Sequence, residues 1–158
     1  MPASSASGQD IDRVAAVLAA CLPALHRALD RRVARDFPHP KLPEGQLALL
    51  RLVGDREGVT VREAAEALSM KPNNVSALVS QLTEQDLLDR RQDPTDRRIA
   101  HLHLTATARS RIAEVQELLD GHVAEALHAL TDGELDALGS ALGALDALTR
   151  HLRSSASG

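Results

Sequence analysis

Four arginines fall within nine residues of this chain, Arg90, Arg91, Arg97 and Arg98, in the run DRRQDPTDRR. Planar, permanently charged guanidinium groups at this density suit phosphate and base-edge hydrogen bonding, although a charge run by itself equally describes a solvated hairpin. Just upstream lies PNNVSALVSQLTE. On a helix turning about 100° per residue, Val75, Leu78, Val79 and Leu82 share one face. The opposite face then presents Asn73, Ala77 and Ser80, flanked by Asn74, Ser76 and Gln81. A solvated helix usually carries Lys and Glu there. Short amides and hydroxyls instead suit a surface that approaches a donor and acceptor pattern closely, as base edges in a groove require.

Other reactive residue types do not assemble into a catalytic pattern. No glycine-rich phosphate loop, HExxH or GxSxG occurs, and the single Cys21 has no base that sequence can identify, so an enzyme is not expected. Asp132 and Glu134 read as helix N-terminal acids. His101 and His103 share one face of a strand, but His122 and His128 are six apart, whereas joint ligation from one helix wants three or four, so no metal site or cofactor is expected. Cys21, beside Leu22 and Leu25 on the apolar stripe, reads as a buried inert cysteine rather than a reactive thiol.

The elements that must hold these residues are helical. Ala and Leu contribute 26 residues each of 158, with one Phe and no Trp or Tyr. A core without large aromatics buries little area per side chain, which favours a partner subunit. The formal charge is −4, but it is uneven: residues 71–111 carry seven Lys/Arg, Lys71 among them, against five acids, and residues 112–150 one Arg against eight acids. The middle of the chain is therefore the basic part. One cysteine excludes an intrachain disulfide, no run of 18 apolar residues predicts a membrane span, and no secretory pattern opens the chain, so the expected location is the cytoplasm.

Residues 1–9 and 153–158 are small, polar and patternless and are expected as disordered tails. Ile11, Val14, Leu18, Leu22, Leu25 and Leu29 predict a long first helix to about Asp36, kinked at Pro23 and broken by Phe37-Pro38-His39-Pro40. A shorter helix ends near Gly54, Thr60 with Glu63 predicts a capping box, and Pro72 predicts a first helical residue. Ile99–Leu104 alternates as a returning strand. Two further helices follow, capped at Thr105 and Thr131, with apolar stripes from Ile112 to Leu130 and from Leu135 to Leu152. These stripes and that of the first helix exceed what the centre of the chain can cover, which predicts a two-fold helical homodimer.

Two short helices followed by a hairpin describe a winged helix-turn-helix. The order long helix, VREAAEALSMKPNNVSALVSQLTEQDLLDRRQDPTDRRIAHLHLT, two long helices closely resembles the MarR (multiple antibiotic resistance regulator) family of bacterial transcription factors. The most specific piece is Asp93-Pro94-x-Asp96-Arg97-Arg98 followed by Leu104-Thr105, and the resemblance spans about residues 10–152. It departs from the family at Asp86 and Ala108, where glycine is common; aspartate tolerates the left-handed conformation, so the turn can survive.

The resemblance implies a mainly α fold with a small β-hairpin wing. Residues 41–105 would form the winged helix-turn-helix, and residues 10–40 and 106–152 a helical dimerisation region. It implies a homodimeric DNA-binding regulator, a repressor on a pseudo-palindromic operator in double-stranded DNA, with the acidic C-terminal helices facing away from it. Pro72, Asn73, Asn74, Ser76, Ser80 and Gln81 would face the groove, and Arg97 or Arg98 would enter the minor groove from the wing. Asp96 would stabilise that wing, with Lys71, Arg90 and Arg91 as further contacts. The competing reading is a helical interaction module that keeps the winged-helix shape without binding DNA. The family also implies an effector cleft for a small aromatic acid such as salicylate. Here His26 and Arg27 on the first helix and Arg51 on the second could meet its carboxylate amid Leu22, Leu25 and Leu47; Asp30 could instead neutralise Arg27.

Overall fold

The structure, a computed structural model, describes residues 4–155. In chain order it contains α1 (Ser4–Asp36), α2 (Glu44–Asp55), α3 (Val61–Ala67), α4 (Pro72–Glu84), β1 (Leu88–Gln92), β2 (Ala100–Leu104), α5 (Ala106–His128) and α6 (Asp132–Ser155). The fold is thus mostly helical with one antiparallel hairpin. Two compact units divide the chain, one ending at Leu118 and the other starting at Leu119. Among the described residues no helix is long and apolar enough to cross a membrane.

Local chemistry accounts for most element boundaries. Thr60 and Glu63 form the expected capping box: the Glu63 amide donates to Thr60 Oγ1 at 3.3 Å, and the Thr60 amide donates to Glu63 Oε2 at 2.8 Å. Pro72 opens α4, where its missing amide hydrogen leaves no helical bond unmade. Ala108 donates its amide to Thr105 Oγ1 at 3.1 Å at the start of α5. In the second unit, Thr131 and Glu134 repeat the reciprocal cap ahead of α6. Pro23 lies inside α1, which continues through it.

The ends differ from the expected tails. Residues 1–3 and 156–158 lie outside the described residues, but α1 already begins at Ser4 and α6 runs to Ser155, so residues 4–9 and 153–155 are helical. Once a helix is nucleated, each added Ala, Ser or Arg loses at most a few tenths of a kcal/mol, and the helix propagates past the end of its apolar stripe.

The core belongs to the first unit. Leu49 and Val53 of α2, Ala64 of α3, Val75, Val79 and Leu82 of α4, and Leu102 of β2 are all 0% exposed. Leu87, Leu88 and Ala108 close it. Leu88 pairs with Leu104 and Arg90 with Leu102, so the hairpin seats its leucines on the helices while its far end extends past them. Residues 58–60 add a short edge: Gly58 N donates to Leu102 O, Leu102 N donates to Val59 O, both at 2.9 Å, and Thr60 bridges His101. Gly58 has φ +83°, a conformation a side chain would strain.

The long helices present the opposite picture. Ile11, Val14 and Val17 of α1 and Leu142 and Leu152 of α6 are more than half exposed. Cys21 is exposed as well, contrary to the expected buried cysteine, because the stripe it sits on is uncovered in the single chain.

Candidate nucleic-acid interface

The positions expected to meet DNA lie on two structures, α4 and the hairpin. On α4, Lys71 is the N-cap residue, and Lys71, Pro72, Asn73, Asn74 and Ser80 are exposed while Ser76 is half-buried. The face opposite Val75, Val79 and Leu82 is therefore open along the helix. Ser80 donates its hydroxyl to Ser76 O at 3.0 Å, so it reads a partner only through its remaining lone pairs or by giving up that bond. The turn before α4 passes through Ser69 at φ +53°.

Gln81 departs from the expected role of a free base reader. Its side-chain carbonyl accepts from Gln46 Nε2 at 3.0 Å, across from α2. Gln85 Nε2 in turn lies 3.3 Å from Gln46 Oε1 and 3.2 Å from Gln81 O. Gln46 and Gln85 are additions that sequence reading missed; Gln46, in the first turn of α2, is 6% exposed in the fold, and only that burial marks it.

The turn after α4 confirms that aspartate replaces glycine there without loss of the bend. Asp86 has φ +56°. Two threonines hold it: Thr105 donates its hydroxyl to Asp86 O and Thr107 donates its own to Asp86 Oδ2, both at 2.6 Å.

In the hairpin, directly paired residues share a face, so Arg90 sits on the side of Leu102 and Arg91 on the side of His101. The four arginines therefore do not form one flat patch. Arg91 lies 3.4 Å from Asp89. At the tip, Asp96 accepts from the Arg98 amide at 3.0 Å and from its guanidinium Nε at 3.2 Å, the pairing expected of a wing-stabilising aspartate. These bonds, the backbone one first, hold the Asp96 carboxyl below its ordinary range. Arg98 is oriented while its side chain stays 91% exposed, and Arg97 is exposed beside it.

Asp93 is the second hub of the wing. Its Oδ1 accepts from the Thr95 amide at 2.8 Å, the Thr95 hydroxyl at 2.6 Å and the Asp96 amide at 3.0 Å, while Oδ2 meets His101 Nε2 at 2.9 Å. The Thr95 hydroxyl and His101 hold its carboxyl well below the usual carboxylate range. His101 Nδ1 meets Gly58 O at 2.7 Å. Both ring nitrogens thus face acceptors, which only the imidazolium satisfies, and the Asp93 and Gly58 contacts raise the His101 pKa. His103 faces Glu57 at 3.8 Å, and Glu57 accepts from Arg109 at 2.5 Å. These histidines brace the hairpin; among the described residues no three His, Cys, Asp or Glu side chains are placed to hold a metal.

The residues expected around an effector lie on α1 and α2. Leu22, His26 and Arg27 are exposed on α1, Leu47 is half-buried and Arg51 exposed on α2. Asp30 pairs with His26 at 3.3 Å. A cleft of about 530 Å³ lies among Thr83, Asp86, Asp89, Arg91, Thr105 and Arg109.

Comparison with known proteins agrees with this architecture. Residues 41–99 match the sequence model of the MarR family, while no curated protein matches the chain. The transcriptional regulator Tm0710 from Thermotoga maritima is 21% identical, with 92% of this chain and 98% of that one covered at a TM-score of 0.71. A MarR family protein from Bacillus stearothermophilus is 19% identical over 88% of this chain and 97% of its own, at 0.65. FabT from Streptococcus pneumoniae, solved in complex with DNA, is 18% identical over 90% and 99%, at 0.58. The sequence match over residues 41–99 makes this segment similar to the MarR family, and the solved structures share its fold over most of the chain's length.

Proposed function

We propose that the chain is a DNA-binding transcriptional regulator, rather than an enzyme, that binds a pseudo-palindromic operator as a homodimer and acts as a repressor. The observation that carries this reading is the open, uncharged polar face of α4 next in the chain to an arginine-bearing wing that Asp93 and Asp96 hold in shape. Asn73, Asn74 and Ser76 read base edges in the major groove; Lys71, Arg90 and Arg91 meet phosphates; Arg97 and Arg98 serve the minor groove. The similar fold of a protein solved with DNA supports it. A second copy covering the apolar faces of α1 and α6 supplies the symmetry that a palindrome requires.

A shift assay on genomic fragments at two salt concentrations tests the reading. Binding through several arginines must weaken steeply with salt. Salt-independent retention, or none, favours instead an interaction module that has kept the winged-helix shape.

Ligand response is the finer part of the proposal. A small aromatic acid such as salicylate binds near Leu22, His26, Arg27, Leu47 and Arg51 and favours a spacing of the two recognition helices unsuited to DNA. A tenfold loss of operator affinity needs about 1.4 kcal/mol of differential binding. Calorimetry with aromatic carboxylates, repeated on Arg51→Ala and His26→Ala, tests it; equal binding to free and DNA-bound protein contradicts it.

A further inference from the structure

The amide chain Gln85, Gln46, Gln81 has a direction that the geometry fixes. Gln85 presents one side-chain atom both to Gln81 O, at 3.2 Å, and to a side-chain atom of Gln46, at 3.3 Å. A backbone carbonyl only accepts, so the Gln85 atom is the amide nitrogen. The Gln46 atom it also meets is then the carbonyl oxygen, and the other end of Gln46 is its NH2 group. That group lies 3.0 Å from Gln81, whose facing atom must be the carbonyl oxygen. Turning any one amide over would set two donors or two acceptors against each other, at a site where Gln46 is only 6% exposed and water cannot easily repair the mismatch.

Gln81 itself is exposed on α4. With its carbonyl engaged by Gln46, what remains to be presented is its NH2 group. A glutamine that reads adenine uses both ends of its amide, accepting from N6 and donating to N7. A glutamine with only its NH2 group free donates to acceptors, such as guanine O6 and N7, thymine O4 or adenine N7, and finds none on cytosine, which presents only an amino donor.

We infer that Gln46 is a positioning residue that orients Gln81, so that the recognition helix offers a donor and discriminates against cytosine opposite Gln81. The inference rests on the DNA-binding reading above and adds a specificity rule to it. Gln46 touches no base and acts through Gln81, and Gln85 anchors the direction of the chain through the Gln81 backbone.

Selection of bound sequences from a random DNA pool tests the rule with the full chain and two variants. The unaltered protein depletes cytosine at one symmetric pair of positions, by on the order of tenfold. In Gln46→Glu, assayed at about pH 8 where the new carboxylate is ionised, no donor faces Gln81. The Gln81 amide turns over, its carbonyl faces the groove, and cytosine, whose amino group donates, becomes enriched at that pair while guanine and thymine are depleted. Gln81→Glu, at an exposed site that carries no folding risk, keeps one oxygen toward Gln46 and turns the other outward, so it gives the same exchange at lower overall affinity. Preference unchanged in both variants overturns the inference, as does an equal loss on every sequence, which marks a phosphate contact. Failure of the unaltered protein to enrich any sequence would instead overturn the DNA-binding reading itself.

Discussion

The winged-helix segment and the long helices treat their apolar residues in opposite ways. Leu49, Val53, Val75, Val79, Leu82 and Leu102 are wholly buried within one unit, whereas Ile11 on α1 and Leu152 on α6 are each 64% exposed. The first region closes a core from its own side chains. The second carries stripes of the same residue types at the same helical spacing, and these are exposed among the described residues. Helical periodicity reports that a face will be buried, and it is silent about whose surface buries it. Amides, threonines and aspartates brace α4 and the wing, while α1 and α6 include local i,i+4 pairs such as His26 with Asp30 and Arg150 with Asp146.

The largest expected effect comes from breaking the closed core. Leu82→Ala removes a fully buried side chain of the recognition helix and lowers stability by about 2–5 kcal/mol, independent of protein concentration. Denaturant unfolding checks this, and a loss below about 1 kcal/mol would mean the pocket collapses around the smaller residue. On the open stripes the expected signature differs. Leu142→Asp together with Val17→Asp leaves the winged helix folded but abolishes the dimer, since each covered side chain of this size contributes about 1.5–3 kcal/mol. Light scattering should show the unaltered chain at twice 16.9 kDa and the double variant at one copy. A monomer for the unaltered chain at micromolar concentration would show that these faces are covered by something else.

The wing sharpens the contrast from the polar side. Arg97→Ala and Arg98→Ala are each expected to weaken operator binding by about 1–3 kcal/mol and to reduce its salt slope without affecting stability. Unchanged affinity in both would remove the minor-groove role.

The smallest effect is one of pH. The His101 pKa is raised by Asp93 and Gly58, with Glu63 of α3 adding to it and Arg91 opposite on β1. A raised folded pKa means that this brace is fully present below the ordinary histidine pKa and is lost as pH rises through the folded value. The Asp93 carboxyl, held low, gives a contribution present above the ordinary aspartate value and lost only in strong acid. Protection of the amides of residues 93–99, taken relative to the base-catalysed exchange of an unstructured chain at each pH, should therefore be highest between these limits and fall as pH rises through the raised His101 value, and His101→Gln should flatten the alkaline side. Protection that does not change across that range would show that the wing holds without the imidazolium.

What sequence made legible was mostly local. Thr60 with Glu63, Thr131 with Glu134, Pro72 at a helix start and Asp96 two residues from Arg98 all act across four residues or fewer, where spacing alone determines reach. The match of Leu102 and Leu104 to a buried strand face follows from period two. What stayed hidden depends on tertiary placement: Gln46 meets Gln81 across 35 positions and His101 meets Gly58 across 43, and neither pair has a periodic signature. Cys21 was misjudged for a related reason, since a stripe that periodicity marks as buried is open in one chain.

The most direct test of the account is selection of bound DNA from a random pool by the unaltered chain, followed by counting the copies bound to the selected duplex. A dimeric winged-helix regulator should enrich a pseudo-palindrome whose half-site centres lie about one helical turn, roughly 10 base pairs, apart, with two copies bound. No enriched sequence, or a single asymmetric site occupied by one copy, would contradict it.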